Sequence, residues 1–145
     1  MNFYRDGCDI SDKADEERDP LTHQVIGCAI EVHRHLGPGL LESTYEKCLA
    51  YELKANGIPF TTQTPITVEY KGIVIDCGYR VDFLIDDYLI VELKATEQLL
   101  PIHQAQLITY MKLAEAPFGL LINFNVKLLK DGIRRLFPSP QMPTL

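Results

Sequence analysis

Apolar residues recur at helical spacing in three stretches of this chain. The first stretch starts at Asp19-Pro20, an N-cap acid followed by proline at the first helical position, and stops at Gly37-Pro38-Gly39. Two further amphipathic helices are predicted over residues 41–55 and 102–114. The pattern therefore predicts two consecutive helices near the start of the chain and a third one much later.

Strand patterns fill most of the remaining chain. Alternating or continuous apolar runs predict strands over residues 65–71, 73–75, 79–85, 88–94 and 118–122, and a last ribbon over residues 126–137 with a turn at 130–132. The helix between Lys94 and Phe118 is long enough to connect two parallel strands. This order predicts an α/β fold, with a mixed sheet of four or more strands flanked by helices.

Length and composition favour one ordinary globular domain. A chain of 145 residues can bury a core of its own. We expect a flexible acidic leader over residues 1–18, a single domain over residues 19–137 and a loose tail over residues 138–145. No apolar run approaches a membrane span and the N-terminus lacks a signal peptide's apolar core, so we expect a cytoplasmic protein with no membrane partner. The four widely spaced cysteines fit reduced thiols better than zinc or disulfides.

The net charge of −6 is concentrated at the start of the chain. Residues 1–20 hold seven acids and three bases, which leaves thirteen acids and eleven bases, a net −2, in residues 21–145. A near-balanced surface disfavours avid nonspecific binding to duplex nucleic acid. Charge alone does not decide whether nucleic acid is a ligand.

The candidate chemistry lies in one predicted β-hairpin, residues 79–94. Asp82, Glu92 and Lys94 interrupt strands that are otherwise apolar, and an unpaired buried charge is costly. Two carboxylates and an ammonium together can hold a hard divalent cation and direct a water molecule. The alternative is that the three side chains form ion pairs facing solvent at the edge of a strand.

The alternation of strand faces predicts the register of this hairpin. A two-residue turn at Asp86-Asp87 would point Asp82 away from Glu92, so no metal could be shared. A three-residue connection, Asp86-Asp87-Tyr88, pairs Ile85 with Leu89 and Asp82 with Glu92. It also collects on the opposite face four apolar residues, namely Val81, Phe83, Val91 and Leu93. We therefore predict the three-residue connection.

Two motifs in the chain resemble a known group of enzymes. Asp82 followed by Glu92-x-Lys94 resembles the signature of the PD-(D/E)XK nuclease superfamily. The stretch from Gly39 to Tyr45 reads Gly-x-x-Glu-x-x-Tyr and is similar to the signature of the GxxExxY family, a branch of that superfamily. The similarity extends over residues 21–137.

This resemblance implies a restriction-endonuclease-like core and a Mg²⁺-dependent nuclease that hydrolyses phosphodiester bonds in DNA. The implied catalytic residues are Asp82, Glu92, Lys94 and Glu42. Asp82, Glu92 and the carbonyl of Leu93 would bind Mg²⁺ or Mn²⁺, and Glu42 would reach the metal through water. On its residue type and place alone, Glu42 is equally explained as an acid favoured by the helix macrodipole.

Gln106 and Tyr110 are four residues apart and share one face of the third predicted helix. The resemblance implies that this pair contacts substrate or braces Lys94, while the spacing alone also fits the boundary of an amphipathic helix. The rival function is a non-catalytic nucleic-acid- or protein-binding module that retains the fold. A domain this small leads us to expect a homodimer or a partner protein.

Overall fold

The computed structural model describes residues 4–7 and 19–138. The described residues form three α-helices: α1 (Pro20–Leu36), α2 (Glu42–Ala55) and α3 (Pro101–Ala114). They also form six strands: β1 (Tyr4–Gly7), β2 (Phe60–Tyr70), β3 (Ile73–Ile85), β4 (Leu89–Lys94), β5 (Phe118–Asn123) and β6 (Ile133–Pro138). All three predicted helices are confirmed, within one residue at each end.

The ends of α1 show why its limits could be predicted. The Asp19 carboxylate accepts the main-chain N–H of Thr22 at 3.2 Å, which satisfies one of the free donors at the helix N-terminus. At the other end Gly37 has a φ of 66° and donates its N–H to the carbonyl of His33. Glycine adopts this left-handed conformation without steric cost, so the helix ends there.

The six strands form one mixed sheet in the order β1-β6-β5-β4-β3-β2. β4 and β5 are parallel, and α3 connects them, whereas the other neighbouring strands are antiparallel. The predicted α/β architecture and the predicted parallel strand at residues 118–122 are confirmed. α1 and α2 pack on one side of the sheet and α3 packs on the other, so both faces are covered at β4 and β5.

Each side of the sheet has its own apolar core. Under α1 and α2, the buried residues contributed by the sheet include Phe83, Ile85, Leu89, Val91, Leu93, Leu120 and Ile122. Under α3, they include Ile66, Val81, Ile90, Leu121 and Leu136. The two sets alternate along β4 and β5, as expected for strands that are buried on both faces.

The predicted face of Val81 is wrong. We expected Val81 beside Phe83, two residues further along β3, but Val81 lies in the core under α3 and Phe83 lies under α1 and α2. The same change occurs in β2, where Phe60 packs toward α1 and α2 and Ile66 toward α3. Both strands therefore exchange their faces between these positions. In β2 the extended backbone is interrupted there by Gln63, which has a φ of 48°.

Two strand boundaries also differ from the sequence prediction. β3 is continuous through residues 76–78, where its register against β2 shifts, so these residues are a bulge within one strand rather than a link between two. The predicted ribbon over residues 126–137 is wrong in its first half. Residues Leu129–Gly132 form a 3₁₀-helix, and β6 is the part of the predicted ribbon that pairs in the sheet. The other edge of β6, where a first ribbon strand would pair, is occupied by β1.

The N-terminal leader contains one strand that the sequence pattern does not predict. β1, within predicted leader residues 1–18, pairs antiparallel with β6 at the edge of the sheet. Main-chain pairing of this kind needs no apolar periodicity, which is why the pattern did not predict it. The rest of the predicted leader, and the predicted tail apart from residue 138, lie outside the described residues.

Candidate active site

The connection between β3 and β4 has the predicted length and register. Ile85 pairs with Leu89, and the three connecting residues are Asp86, Asp87 and Tyr88. Asp86 and Asp87 both have left-handed φ values, 53° and 51°, and the N–H of Tyr88 returns to the carbonyl of Ile85 at 3.0 Å. Aspartate tolerates this conformation better than most residues, which fits its place in the loop.

The carboxylates of Asp82 and Glu92 each accept a main-chain N–H from the opposite strand of the hairpin. The regular pairs of β3 and β4 extend as far as Phe83 and Val91. Beyond them, the main-chain N–H of Asp82 donates to Oε1 of Glu92 and the N–H of Leu93 donates to Oδ2 of Asp82, both at 2.9 Å. The two side chains thus replace main-chain acceptors, and this reciprocal contact fixes both carboxylates at the end of the hairpin.

Glu92 is a carboxyl group that is both largely buried and close to other acids. Burial, followed by the neighbouring charge of Asp82, raises the pKa of Glu92 to about 8, and Glu42 adds to the increase. The hydrogen bond from the N–H of Asp82 and the charge of Lys94 lower this pKa but do not compensate. Near neutral pH the Glu92 carboxyl therefore retains its proton unless a cation is supplied.

The alternative of solvent-facing ion pairs does not match this geometry. Asp82, Glu92 and Lys94 are all half-buried. Within residues 4–7 and 19–138, no ion pair joins Lys94 to either carboxylate. The donors at close range to the two acids are main-chain N–H groups and, at Asp82, the amide of Gln63, which stabilise a carboxylate without neutralising it.

α2 places two acids on a pocket beside Asp82. The pocket has a volume of about 290 Å³ and is lined by Glu42, Ser43, Glu46, Gln63, Asp82 and Leu93. Glu42 is the first residue of α2 and its charge reaches Glu92, as the pKa of Glu92 shows. Glu42 thus lies in the first turn of the helix, where the macrodipole favours an acid, and also lines the pocket. The two explanations of Glu42 do not exclude each other.

Tyr45, the last residue of the Gly-x-x-Glu-x-x-Tyr motif, serves the fold rather than the pocket. Its ring is buried and stacks on Phe124, with 4.4 Å between centroids. Its hydroxyl donates to the carbonyl of Gly37 at 2.6 Å and accepts the N–H of Leu40 at 3.2 Å. Tyr45 therefore holds the loop that precedes α2, and with it the position of Glu42.

α3 brings a phenol to the other side of the carboxylates. Nε2 of Gln106 donates to the hydroxyl of Tyr110 at 3.0 Å, so the predicted pair is in contact. Burial and the charge of Glu92 raise the pKa of Tyr110, with smaller increases from Tyr79 and Asp82, against the lowering effect of Gln106. Tyr110 is thus within electrostatic reach of both acids, while Gln106 is exposed and holds the phenol from outside.

The donor set fits a hard cation that keeps much of its own water. Within the described residues, no group of three or more His, Cys, Asp or Glu side chains is arranged to hold a metal ion. The residues that converge are the Asp82 and Glu92 carboxylates, and a cation between them would offset the negative charge that, after burial, raises the pKa of Glu92. A pair of carboxylates with several waters is the usual way in which Mg²⁺ is held.

Sequence reasoning missed two residues that contact this pocket. Glu46 lies one helical turn after Glu42, and that spacing alone could have identified it. Gln63 lies opposite Asp82 across the sheet, nineteen residues away in the chain. No local motif marks Gln63, since its contact depends on how β2 and β3 pair.

Comparison with known proteins gives one match. The sequence model of a family described as the PD-(D/E)XK nuclease superfamily matches residues 19–136, which is most of the chain. Neither the curated proteins nor the solved structures yielded a match. Among the described residues, no helix has the length and apolar character needed to cross a membrane.

Proposed function

We propose that this chain, which belongs to the PD-(D/E)XK nuclease superfamily, is a metal-dependent nuclease that hydrolyses phosphodiester bonds in DNA. The observation that carries the proposal is the reciprocal pair of hydrogen bonds that fixes the Asp82 and Glu92 carboxylates together. Burial, followed by the charge of the neighbouring Asp82, raises the pKa of Glu92 to about 8, and a bound cation would offset the negative charge of the two acids.

The Asp82 and Glu92 carboxylates, with the main-chain carbonyl of Leu93, would hold Mg²⁺ or Mn²⁺. Oxygen ligands suit both ions, and Glu42 would contact the site through water. When bound, such an ion makes a coordinated water more acidic and stabilises charge on a phosphoryl oxygen. The Leu93 N–H keeps Asp82 oriented for this task, since it already binds Oδ2.

Lys94 would serve the attacking water and the scissile phosphate. It follows Glu92 by two residues in β4, so both side chains leave the same side of the strand. Its charge lowers the pKa of Glu92, which places the ammonium within electrostatic reach of the carboxylates. From there Lys94 would hold or move a proton of the water and offset the negative charge of the phosphate.

Gln106 and Tyr110 would line the substrate side of the site. Their mutual hydrogen bond fixes the phenol near Glu92, on the α3 side of the sheet. An exposed amide beside a fixed hydroxyl offers donors and acceptors for a nucleic-acid backbone. These two residues would therefore position substrate rather than take part in proton transfer.

Several finer assignments belong to the same proposal. We place the chain in the GxxExxY branch on the motif from Gly39 to Tyr45. Residues 19–137 would form the nuclease domain, between an acidic leader (1–18) and a short tail (138–145). Three cysteines, Cys28, Cys48 and Cys77, are free, which fits the reducing cytoplasm. The near-balanced charge of the domain suggests that a second subunit or a partner protein contributes to DNA binding.

A cleavage assay with Mg²⁺ or Mn²⁺ tests the proposal on single-stranded, duplex and nicked DNA and on the corresponding RNA. Lys94→Ala should lower kcat by about 10²–10⁴-fold, the usual contribution of a group that transfers protons. Lys54→Ala is the matched control, because Lys54 is exposed near the C-terminal end of α2 and should leave kcat unchanged. Binding of DNA without cleavage in either metal would instead favour the non-catalytic binding module.

A further inference from the structure

Gln63 has a backbone conformation that its surroundings do not explain. Five non-glycine residues of the described chain have positive φ values, and four of them lie in turns or at a helix end. Gln63, with a φ of 48°, is the one that lies inside a strand. Such a conformation is unfavourable for a glutamine within a sheet, and residues held in it are often found at functional sites.

The side chain of Gln63 joins two acids across the pocket. Its Nε2 donates to Oε1 of Glu46 at 2.6 Å and to Oδ1 of Asp82 at 3.1 Å. Pairing of Thr62 with Phe83 and of Thr64 with Val81 places Gln63 directly opposite Asp82. Gln63 thus connects α2 to the carboxylate that we assign to the metal.

Both oxygens of Asp82 are therefore fixed by donors from neighbouring strands. Oδ2 accepts the N–H of Leu93 and Oδ1 accepts the amide of Gln63. Two donors, one on each oxygen, define the plane of a carboxylate and leave further lone pairs for a cation. Glu46 fixes the orientation of the Gln63 amide in turn, because the Glu46 carboxylate accepts hydrogen bonds and the amide must therefore turn its nitrogen, rather than its oxygen, toward Glu46.

We propose that Gln63 is a positioning residue that orients the Asp82 carboxylate for metal binding, with Glu46 as its anchor on α2. This inference rests on the proposed metal-dependent function. It also accounts for the left-handed backbone, which turns the Gln63 side chain toward the pocket at the point where β2 and β3 exchange their faces.

Calorimetric titration with Mn²⁺ on the full chain tests this role through Gln63→Gly. Glycine adopts the same positive φ without strain, so the melting temperature should not fall. The Kd for Mn²⁺ should rise roughly 10- to 100-fold, the effect of losing a group that orients a metal ligand. Lys71→Gly is the matched control, since Lys71 also has a left-handed φ (50°) but lies in the turn between β2 and β3. It should leave the Kd unchanged.

A second variant, Gln63→Met, keeps a side chain of similar length on the same strained backbone and removes the amide, with its N–H donors and its carbonyl oxygen. It should weaken Mn²⁺ binding as much as Gln63→Gly does, which decides the matter if the glycine variant is unstable. Glu46→Gln should weaken binding less, by a few-fold, because it loosens the anchor and leaves the Gln63 amide in place.

Activity gives a readout that a purely structural role would not change. Cleavage by Gln63→Gly should recover toward the wild-type kcat as Mn²⁺ is raised, whereas Lys94→Ala should not recover. An unchanged Kd in both Gln63 variants, with normal binding by the wild type, would overturn the role of Gln63 and leave the proposed nuclease intact. A wild-type protein that binds no Mn²⁺ would overturn the proposed metal site and this inference with it.

Discussion

The two halves of β3 have similar apolar sequences and opposite surroundings. Residues 81–85 are buried or half-buried between the helical layers, whereas Ile73 and Val74 are 63% and 68% exposed. Near the start of the strand, the carboxylate of Asp76 accepts the N–H of Gly78 at 3.0 Å, within its own bulge. Asp82 instead accepts donors from the two flanking strands.

This difference shows what makes an acid in a strand a candidate ligand. Asp76 remains in contact with solvent, so its charge is stabilised by water and by a local N–H. Asp82 lies beside Glu92, whose pKa is raised by burial and then by the charge of Asp82. Coverage by helices, rather than the residue type, therefore distinguishes the acid that we propose as a metal ligand from the one at the exposed end of the strand.

The largest expected effect is the loss of Mn²⁺ binding in Asp82→Asn, with Asp76→Asn as the control. Asp82→Asn should abolish Mn²⁺ binding in a calorimetric titration, because it removes one of the two carboxylates that we propose as direct ligands. The variant should stay folded with a small loss of stability, because asparagine has one acceptor oxygen in place of two and can keep only one of the hydrogen bonds that Asp82 accepts from Leu93 and Gln63. Asp76→Asn should bind Mn²⁺ like the wild type, and unchanged affinity in Asp82→Asn would refute the ligand assignment.

A second comparison concerns how much packing in each half of β3 contributes to the free energy of unfolding. Phe83→Ala should lower the free energy of unfolding by about 3–5 kcal/mol, because Phe83 is fully buried under α1 and α2 and leaves a cavity. Val74→Ala should change it by no more than about 0.5 kcal/mol, because Val74 is exposed. Urea denaturation measures both, and equal losses would show that the exposed half is covered in solution.

The smallest expected effect is the pH dependence caused by Glu92. Its pKa is about 8 in the folded protein and about 4.3 in an unfolded chain, so the folded state binds the proton more tightly. The stabilisation is complete below about pH 4 and is lost as the pH rises to about 8, which amounts to a few kcal/mol at most, on the order expected from linkage.

Urea denaturation of the metal-free protein between pH 4 and pH 9 measures this loss. Glu92→Gln should remove the loss in this interval, because a neutral amide does not titrate. Glu69→Gln, on the exposed part of β2, should retain it. Identical pH profiles for all three proteins would show that Glu92 does not retain its proton in the fold.

The sequence alone determined the helices and the hairpin that carries the candidate site. Capping by Asp19 and the left-handed Gly37 are local signals, and both appear in the structure as predicted. The register of β3 on β4 followed from the alternation of faces, because a connection one residue shorter would have pointed Asp82 away from Glu92. Asp82 and Glu92 could be placed together for that reason.

Tertiary structure decided what lies around those two acids. Val81 lies on the side of the sheet opposite to the predicted one, and no local pattern marks the left-handed φ of Gln63 in the neighbouring strand. The pairing of β1 with β6 uses main-chain groups that every residue carries, so periodicity could not indicate it. The contacts of Gln63 with Glu46 and Asp82 join residues from three elements. Periodicity records which side chains of one segment are buried, whereas the packing of segments decides which of them meet.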